Sequence, residues 1–257
     1  MTDIVQEIGN AKKPVFLKGL VEKTHFDSFS MSNFMDKVGS RPVPVEYCLS
    51  GIYQPRPEIN NGRYFQKMLP FDEALCAITD TCHSAQIHYI PQLNMQALPE
   101  SIKEELPDLR NQKMQKPYAQ ALFLGGSGSG THAHYDLPDN VIVVLAGKKH
   151  IALFPPNHLS KLRPFPTLSP CVNMSSLVDD EIMAMHQNLD PQHCPVIEMN
   201  QGDALYVPSG WWHRVANFDF TCSVSFLWKP GFSDRLNWSY LRYAFSNSRL
   251  GRVLSDR

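Results

Sequence analysis

The sequence predicts a single, mainly β domain with flanking helices. Twenty prolines and fourteen glycines divide the 257 residues into short segments, a pattern that is typical of β-rich folds with many turns. Val141–Ala146 is apolar throughout, as a strand buried on both faces is. Thr221–Trp228 alternates small polar with larger apolar side chains, which predicts a strand with one polar wall. The length suits one domain with a sizeable core.

The first half is predicted to mix strands with two helices. Ser30–Val38 begins with serines that suit a helix N-cap, and Phe71–Thr81 has helical spacing of apolar residues with Asp72 and Glu73 in its first turn. Four segments of this half are predicted to be extended, and prolines favour this conformation in Val43–Tyr47. These segments are Pro14–Lys18, Val43–Tyr47, Ile87–Gln92 and Ala119–Gly126.

The second half is predicted to hold the barrel. Gly147-Lys148 turns the chain from Val141–Ala146 into a strand over Lys149–Phe154. Val196–Met199 and Ala204–Val207 flank a short polar turn, which indicates a hairpin. Leu159–His193 carries no clear pattern, and its acidic stretch Asp179–Glu181 is interpreted as a solvated turn.

We expect three parts within the one domain. Residues 1–118 supply strands and helices that pack on the barrel, and residues 119–230 form the barrel core. Residues 233–257 contain an amphipathic, aromatic helix over Arg235–Leu254. That helix either caps its own barrel or forms a homodimer contact.

Composition excludes several classes of protein. The net charge of −1 creates no global field that favours nucleic acid or an anionic membrane. The N-terminus lacks the basic and apolar regions of a secretory signal, and no apolar run reaches the ~18 residues that span a bilayer. The six cysteines form no C-x-x-C pair, which predicts reduced thiols and a cytoplasmic protein, or a nuclear one in a eukaryotic host.

His134, Asp136 and a distant His213 are the candidate catalytic and metal-binding residues. Residues i and i+2 of a strand point to one face, so His134 and Asp136 reach one ion without distortion of the backbone. Two histidines and a carboxylate on one face of a metal leave open positions for a co-substrate and oxygen, as in iron(II) oxygenases. A His-x-Asp pair alone is a weak signal, because the two side chains also occur as a simple hydrogen-bonded pair.

The segment around His213 resembles the second cupin motif, in which glycine, proline, glycine, histidine and asparagine recur at fixed spacing. The matching residues are Gly202, Pro208, Gly210, His213 and Asn217. Upstream, Thr131–Asp136, Asn140 and Gly147–Lys149 are similar to the JmjC branch of the cupins. The resemblance covers roughly residues 14–228 and is densest in the second half.

Within that branch, the chain resembles the small JmjC hydroxylases of the hypoxia-inducible-factor asparaginyl hydroxylase type. This resemblance implies a double-stranded β-helix, or jelly-roll, barrel that uses iron(II) and 2-oxoglutarate. It departs from the asparaginyl hydroxylase pattern at Ser225, where that enzyme has asparagine and other JmjC members have serine.

The same resemblance implies the residues that bind 2-oxoglutarate. Thr131 stands three residues before the first metal histidine, where the family has a threonine that hydrogen-bonds the distal carboxylate. Lys149 stands fifteen residues after that histidine, where the family has the lysine that pairs with the same carboxylate. A lysine in a strand that enters an apolar barrel also needs a buried anion, so Lys149 is preferred to Lys148. Tyr89, Asn140 and Ser225 complete the predicted pocket.

The expected function is hydroxylation of a C–H bond, in a protein side chain, with release of succinate and CO2. Lysine demethylation and hydroxylation of a tRNA base are subclasses that the sequence leaves open. A second alternative is a germin-like metal cupin that uses His132, His134 and His213 without 2-oxoglutarate. A third is a catalytically silent cupin that serves as a binding protein. The expected partners are a protein substrate and, through the C-terminal helix, a second copy; tRNA stays open, and no membrane is expected.

Overall fold

The computed structural model describes residues 8, 11–21, 26, 29–48, 65–79, 87–107, 109, 117, 119–169 and 171–229. The predicted C-terminal helix and the last two residues of the predicted helix Phe71–Thr81 lie outside this part. Two antiparallel sheets dominate the described residues, which confirms the predicted mainly β class. None of the helices in this part has the length and hydropathy needed to cross a bilayer.

The twelve strands of the described residues divide into a sheet of eight and a sheet of four. The larger sheet has the order β1-β10-β7-β12-β5-β4-β2-β3, and the smaller has the order β6-β11-β8-β9. The chain crosses repeatedly between the sheets from β5 onward, as in a jelly roll. The strands are β1 (Val15–Leu17), β2 (Pro42–Cys48), β3 (Phe65–Pro70), β4 (Ile87–Asn94), β5 (Ala119–Gly125), β6 (Gly130–Tyr135), β7 (Asp139–Ala146), β8 (Lys148–Phe154), β9 (Val196–Asn200), β10 (Ala204–Val207), β11 (Trp212–Asn217) and β12 (Thr221–Trp228).

The predicted hairpin between β9 and β10 is wrong. β9 pairs with β8 in the smaller sheet, whereas β10 pairs with β7 and β1 in the larger one. Gly202, at φ 92°, turns the chain between the sheets, and Asp203 accepts hydrogen bonds from the backbone of Asn200 at 2.8 Å and Gly19 at 2.8 Å. The short polar turn therefore connects strands of different sheets. Sequence alone does not distinguish such a crossover from a hairpin.

Five α-helices lie in the described part of the chain. The second of them ends at Thr79, and the first begins after Ser30, whose side chain makes no capping hydrogen bond to it. The region Leu159–His193 is not a plain loop, since it contains the last two helices. The helices are α1 (Met31–Val38), α2 (Phe71–Thr79), α3 (Glu100–Lys103), α4 (Leu159–Leu162) and α5 (Asp179–Gln187).

The larger sheet separates two apolar clusters. Side chains of β7 alternate between its faces: Val143 belongs to the main core with the helices, whereas Ile142 and Val144 belong to a cluster shared with β8 and β11. Both faces of β7 are thus buried, as its continuous apolar sequence predicts. The inner face of the larger sheet and the smaller sheet together enclose the barrel interior.

Candidate metal and co-substrate site

Two paired strands bring the predicted metal ligands together. His134 of β6 lies directly opposite His213 of β11, and their ring centroids are 4.2 Å apart. Asp136 follows β6 and lies 3.8 Å from Nε2 of His134 through Oδ1 and 3.7 Å from Nε2 of His213 through Oδ2. The three ligand atoms lie within 4.8 Å of one another, a spacing that one ion can bridge.

Backbone carbonyl groups orient both imidazole rings. Nδ1 of His134 lies 2.8 Å from the carbonyl oxygen of His132, and Nδ1 of His213 lies 3.2 Å from that of Trp211. A carbonyl oxygen only accepts, so each Nδ1 carries the proton and each Nε2 presents a lone pair toward Asp136. Burial and the neighbouring His134 ring lower the pKa of His213, which favours the neutral form that a metal requires.

The second cupin motif also positions the carboxylate ligand. The N–H of Gly210 donates to the backbone oxygen of Asp136 at 2.9 Å, and Gly210 has φ 80°, a conformation that favours glycine. Tyr135 and Trp212 pack edge to face, with centroids 4.9 Å apart. Trp212 is therefore a core aromatic that fixes the two ligand strands together.

A bulge in β6 determines which of its side chains enter the barrel. His213 pairs with His134 but Val215 pairs with Thr131, so three steps along β6 match two steps along β11. Thr131 and His134 consequently line the same cavity. His132 is turned away, with Nε2 3.0 Å from the carbonyl oxygen of Ser175. The metal-ligand cluster found among the described residues excludes it, which removes the first ligand of the germin-like alternative.

A cavity of about 480 Å³ joins the metal face to Lys149. Lys149 is 3% exposed and donates to Oγ of Ser223 at 2.6 Å, without a carboxylate partner among the described residues. Burial lowers the pKa of Lys149 to about 8. Lys148 is partly exposed and pairs with Glu198 at 3.1 Å. Lys149, unlike Lys148, thus offers a buried cation to an anion that enters the cavity.

Neutral hydrogen-bonding groups line the same cavity as Lys149. Oη of Tyr89 lies 3.2 Å from Oγ1 of Thr131, and burial raises the pKa of Tyr89, which keeps the phenol protonated. Oδ1 of Asn140 is buried and has no hydrogen-bond partner within the described part of the chain, and Ser225 is buried in the same wall. All five residues predicted to bind 2-oxoglutarate therefore line one cavity with the three candidate metal ligands.

A second, more open cavity of about 880 Å³ also borders Asp136, the candidate carboxylate ligand. The two cavities share five residues, so the outer cavity adjoins the inner one beside the candidate metal ligand Asp136. The shared residues are Gln92, Phe123, Asp136, Asn140 and Ser225. Gln92 occupies a bulge of β4 with φ 49°, which is uncommon for a residue with a side chain and is found at binding sites.

Several residues that line the 480 Å³ cavity were not predicted from the sequence. Glu46 and Gln66 line the 480 Å³ cavity from β2 and β3, and Asn173 and Met174 line it from the segment before α5. Glu46 stands next to Val45, which faces the core, so alternation predicts that Glu46 faces solvent. Asn173 lies in the region without a periodic pattern, where no sequence signal identifies it.

The segment before α5 covers the exposed edge of β6. The N–H groups of Tyr135 and Ser175 donate to the carbonyl groups of Asn173 and Ala133 at 3.0 and 2.9 Å. Arg214 of β11 donates two hydrogen bonds of 2.7 Å to Asp179 at the start of α5. The interpretation of Asp179 as part of a solvated acidic turn is therefore wrong, since its side chain is 18% exposed and anchors this segment to a ligand strand.

The anchor leads to a stability prediction. Replacing Asp179 by asparagine removes the charge but keeps the size, and leaves the mostly buried Arg214 without its anion. We expect the free energy of unfolding to fall by about 1–3 kcal/mol, measured by urea denaturation. Asp180→Asn is the matched control, because Asp180 is exposed and carries the same charge. Equal stability of the two variants would contradict an anchoring role.

Comparisons with known proteins agree with this geometry. Residues 1–234 match the model of the family described as the cupin-like domain. The human tRNA wybutosine-synthesizing protein 5 is 20% identical over 240 residues, which are 88% of this chain and 74% of that protein. Lysine-specific demethylase 8 of Xenopus tropicalis is 26% identical over 231 residues, 84% of this chain and 48% of that protein.

A third relative matches over a shorter region. Lysine-specific demethylase JMJ31 of Arabidopsis thaliana is 28% identical over 120 residues, 44% of this chain. The matched part is 21% of that protein, so this chain spans about a fifth of JMJ31 and about half of demethylase 8.

Proposed function

Because this chain belongs to the cupin-like domain family and has JmjC relatives, we propose that it is an iron(II)- and 2-oxoglutarate-dependent oxygenase that hydroxylates a C–H bond. One observation carries the proposal. A single 480 Å³ cavity contains both a cluster of two histidines and one carboxylate and a buried lysine without a carboxylate partner among the described residues. The cluster suits iron(II), and the lysine suits the free carboxylate of 2-oxoglutarate.

Each side chain has a definite task in this proposal. His134, Asp136 and His213 would hold the iron through Nε2, one carboxylate oxygen and Nε2. When bound, the iron would let molecular oxygen oxidise the substrate C–H bond, with 2-oxoglutarate supplying two electrons as it is converted to succinate and CO2. Lys149, Thr131 and Tyr89 hold the distal carboxylate, while Asn140 and Ser225 line the wall between the two cavities. The buried interior excludes water and keeps these groups aligned.

The substrate we propose is a protein side chain, and the product leaves with succinate and CO2. What supports a macromolecular substrate is the open 880 Å³ cavity that leads to Asp136. The names of two relatives suggest alternative substrates. One relative is named a lysine-specific demethylase, and the other is named a tRNA wybutosine-synthesizing protein. We also propose a cytoplasmic or nuclear location and a homodimer contact through the predicted C-terminal helix.

Anaerobic titration of the metal-free protein tests this function. Iron(II) followed by 2-oxoglutarate is expected to produce the visible charge-transfer band of the chelate. Tight iron binding without a band would point to a metal cupin that does not use 2-oxoglutarate. Failure to bind iron would point to a silent cupin, and either result would reject the proposal.

The affinity for 2-oxoglutarate is expected to depend on pH. Burial lowers the pKa of Lys149 to about 8, so the ammonium that pairs with the carboxylate is present below pH 8 and is lost above it. The dissociation constant, followed by the band, is therefore expected to be flat below pH 8 and to rise by up to about tenfold per pH unit above it. Lys149→Arg is the control, since a guanidinium stays charged and removes this dependence.

A further inference from the structure

Ser223 carries a buried hydroxyl group in the inner cavity that has no task in the proposed function so far. It lies on β12, is 1% exposed, and lines the 480 Å³ cavity together with Lys149 and the metal ligands. Its neighbours Cys222 and Val224 belong to the main core on the other face of the strand. The alternation of small polar and apolar residues along β12 therefore turns this hydroxyl group toward the barrel interior.

Ser223 accepts a hydrogen bond from the buried ammonium group. Nζ of Lys149 donates to Oγ of Ser223 at 2.6 Å and has no second acceptor within the described residues. An ammonium group has three donors, so two of them stay available for an anion. Because Ser223 is the one side chain of the described residues that fixes Nζ, the direction of these two donors depends on it.

The hydroxyl proton of Ser223 is not used within the described part of the chain. A hydroxyl group donates one hydrogen bond and accepts two, whereas an ammonium group has no lone pair, so this proton cannot be donated to Lys149. Ser223 also donates to no other group of the described residues. A carboxylate that enters the cavity offers about four lone-pair sites, and the unused proton suits one of them.

We propose that Ser223 binds the distal carboxylate of 2-oxoglutarate together with Lys149, both as a hydrogen-bond donor to the carboxylate and as the acceptor that orients the ammonium group. The inference rests on the proposed function and adds a residue to its co-substrate pocket. A hydroxyl group that donates to a carboxylate makes a short, strong hydrogen bond. The bond that Ser223 accepts from Lys149 polarises the hydroxyl group and strengthens the one that it donates.

The test compares two keto acids that chelate iron in the same way. The iron(II)-loaded protein is titrated anaerobically with 2-oxoglutarate or with 2-oxopentanoate, which has a methyl group in place of the distal carboxylate, and the visible band is followed. In Ser223→Ala we expect the dissociation constant for 2-oxoglutarate to rise by about 10- to 100-fold, because hydrogen bonds to a charged group are lost. The dissociation constant for 2-oxopentanoate is expected to stay close to that of the wild type.

Three further variants separate the hydroxyl group from the shape of the side chain. Ser223→Thr keeps a hydroxyl group and is expected to retain most of the affinity, whereas Ser223→Cys keeps the shape with a weak donor and is expected to lose part of it. Thr221→Val is the control on the same strand. The hydroxyl group of Thr221 donates to the backbone oxygen of Lys148 at 3.1 Å, so its loss is expected to lower the melting temperature without changing 2-oxoglutarate affinity.

The pH profile distinguishes the orienting role from a purely structural one. The ammonium group of Lys149 is present below its pKa and lost above it, and loss of the acceptor disfavours this charged form. Ser223→Ala is therefore expected to lose 2-oxoglutarate affinity from a lower pH than the wild type, by up to about one pH unit. Glu46, Tyr89 and the metal ligands also line the cavity, and Cys222 acts on the pKa of Lys149. These groups are the same in both proteins, so the comparison isolates Ser223.

Two results would overturn the inference while leaving the oxygenase function intact. One is an equal loss of affinity for both keto acids in Ser223→Ala, and the other is wild-type affinity for 2-oxoglutarate in that variant. If Ser223→Ala does not fold, Ser223→Cys decides, and unchanged 2-oxoglutarate affinity in it would overturn the inference. Absence of the band in the wild-type protein would instead reject the proposed function, and the inference with it.

Discussion

Replacing Asp136 by alanine is expected to abolish iron binding and the 2-oxoglutarate band. Asp136 supplies the carboxylate that lies 3.8 and 3.7 Å from the two imidazole nitrogens, and without it two neutral histidines remain. Partners that merely orient a ligand contribute 10- to 100-fold in metal affinity, so removal of a ligand is expected to cost more than about 100-fold. Iron content after dialysis and the anaerobic band measure the loss.

His132→Asn is the matched variant for this prediction. His132 lies four residues before Asp136 in the sequence, and its ring hydrogen-bonds the carbonyl group of Ser175. We expect the variant to keep both iron and the band. Retained iron in Asp136→Ala together with lost iron in His132→Asn would reverse the assignment and favour a germin-like site.

Lys149→Met is expected to weaken the binding of 2-oxoglutarate without lowering the stability of the fold. Removing the one buried cation in the described wall of the cavity leaves the carboxylate of 2-oxoglutarate unpaired, at a cost of 2–5 kcal/mol, or a loss of about 30-fold to several thousandfold in affinity. Folding is expected to be unchanged or to improve by up to about 4 kcal/mol, because an apolar side chain of similar volume replaces an ammonium group with one hydrogen bond. Titration of the band and urea denaturation measure the two effects.

Lys148→Met controls for the loss of a positive charge from the same strand. Lys148 pairs with Glu198 at the surface, and such pairs contribute little to stability. Both its affinity for 2-oxoglutarate and its free energy of unfolding are expected to stay close to wild type. A large fall in the stability of Lys149→Met would show that Lys149 is a structural residue rather than a ligand group.

Local patterns predicted the strands well because burial repeats at short range. Val141–Ala146 and Thr221–Trp228 were predicted as strands, and both lie within β7 and β12. The partners of β9 and β10 could not be predicted, because pairing depends on which sheet each strand joins. That choice is set by contacts such as Asp203 with Gly19, which are distant in sequence.

The metal and co-substrate residues were predicted from a resemblance to a family pattern, whereas Glu46 was not predicted. Thr131, His134 and Lys149 stand at intervals that match a family pattern, and the structure gathers them in one cavity. Glu46 has no such interval, and its neighbour Val45 faces the core on the opposite side of β2. Only the position of β2 between β3 and β4 shows that the outward face of this strand is a cavity wall.

The bulge in β6 also explains why two residues at an odd separation line the same cavity. Side chains of a regular strand share a face only at even separations, yet Thr131 and His134 are separated by an odd number and both line the cavity. The odd separation between Thr131 and His134 in the sequence therefore indicates the bulge. Regular pairing at this odd separation would turn one of the two groups out of the barrel, so the bulge is what brings both into the cavity. The metal face and the co-substrate pocket are thus kept in phase by one unpaired residue.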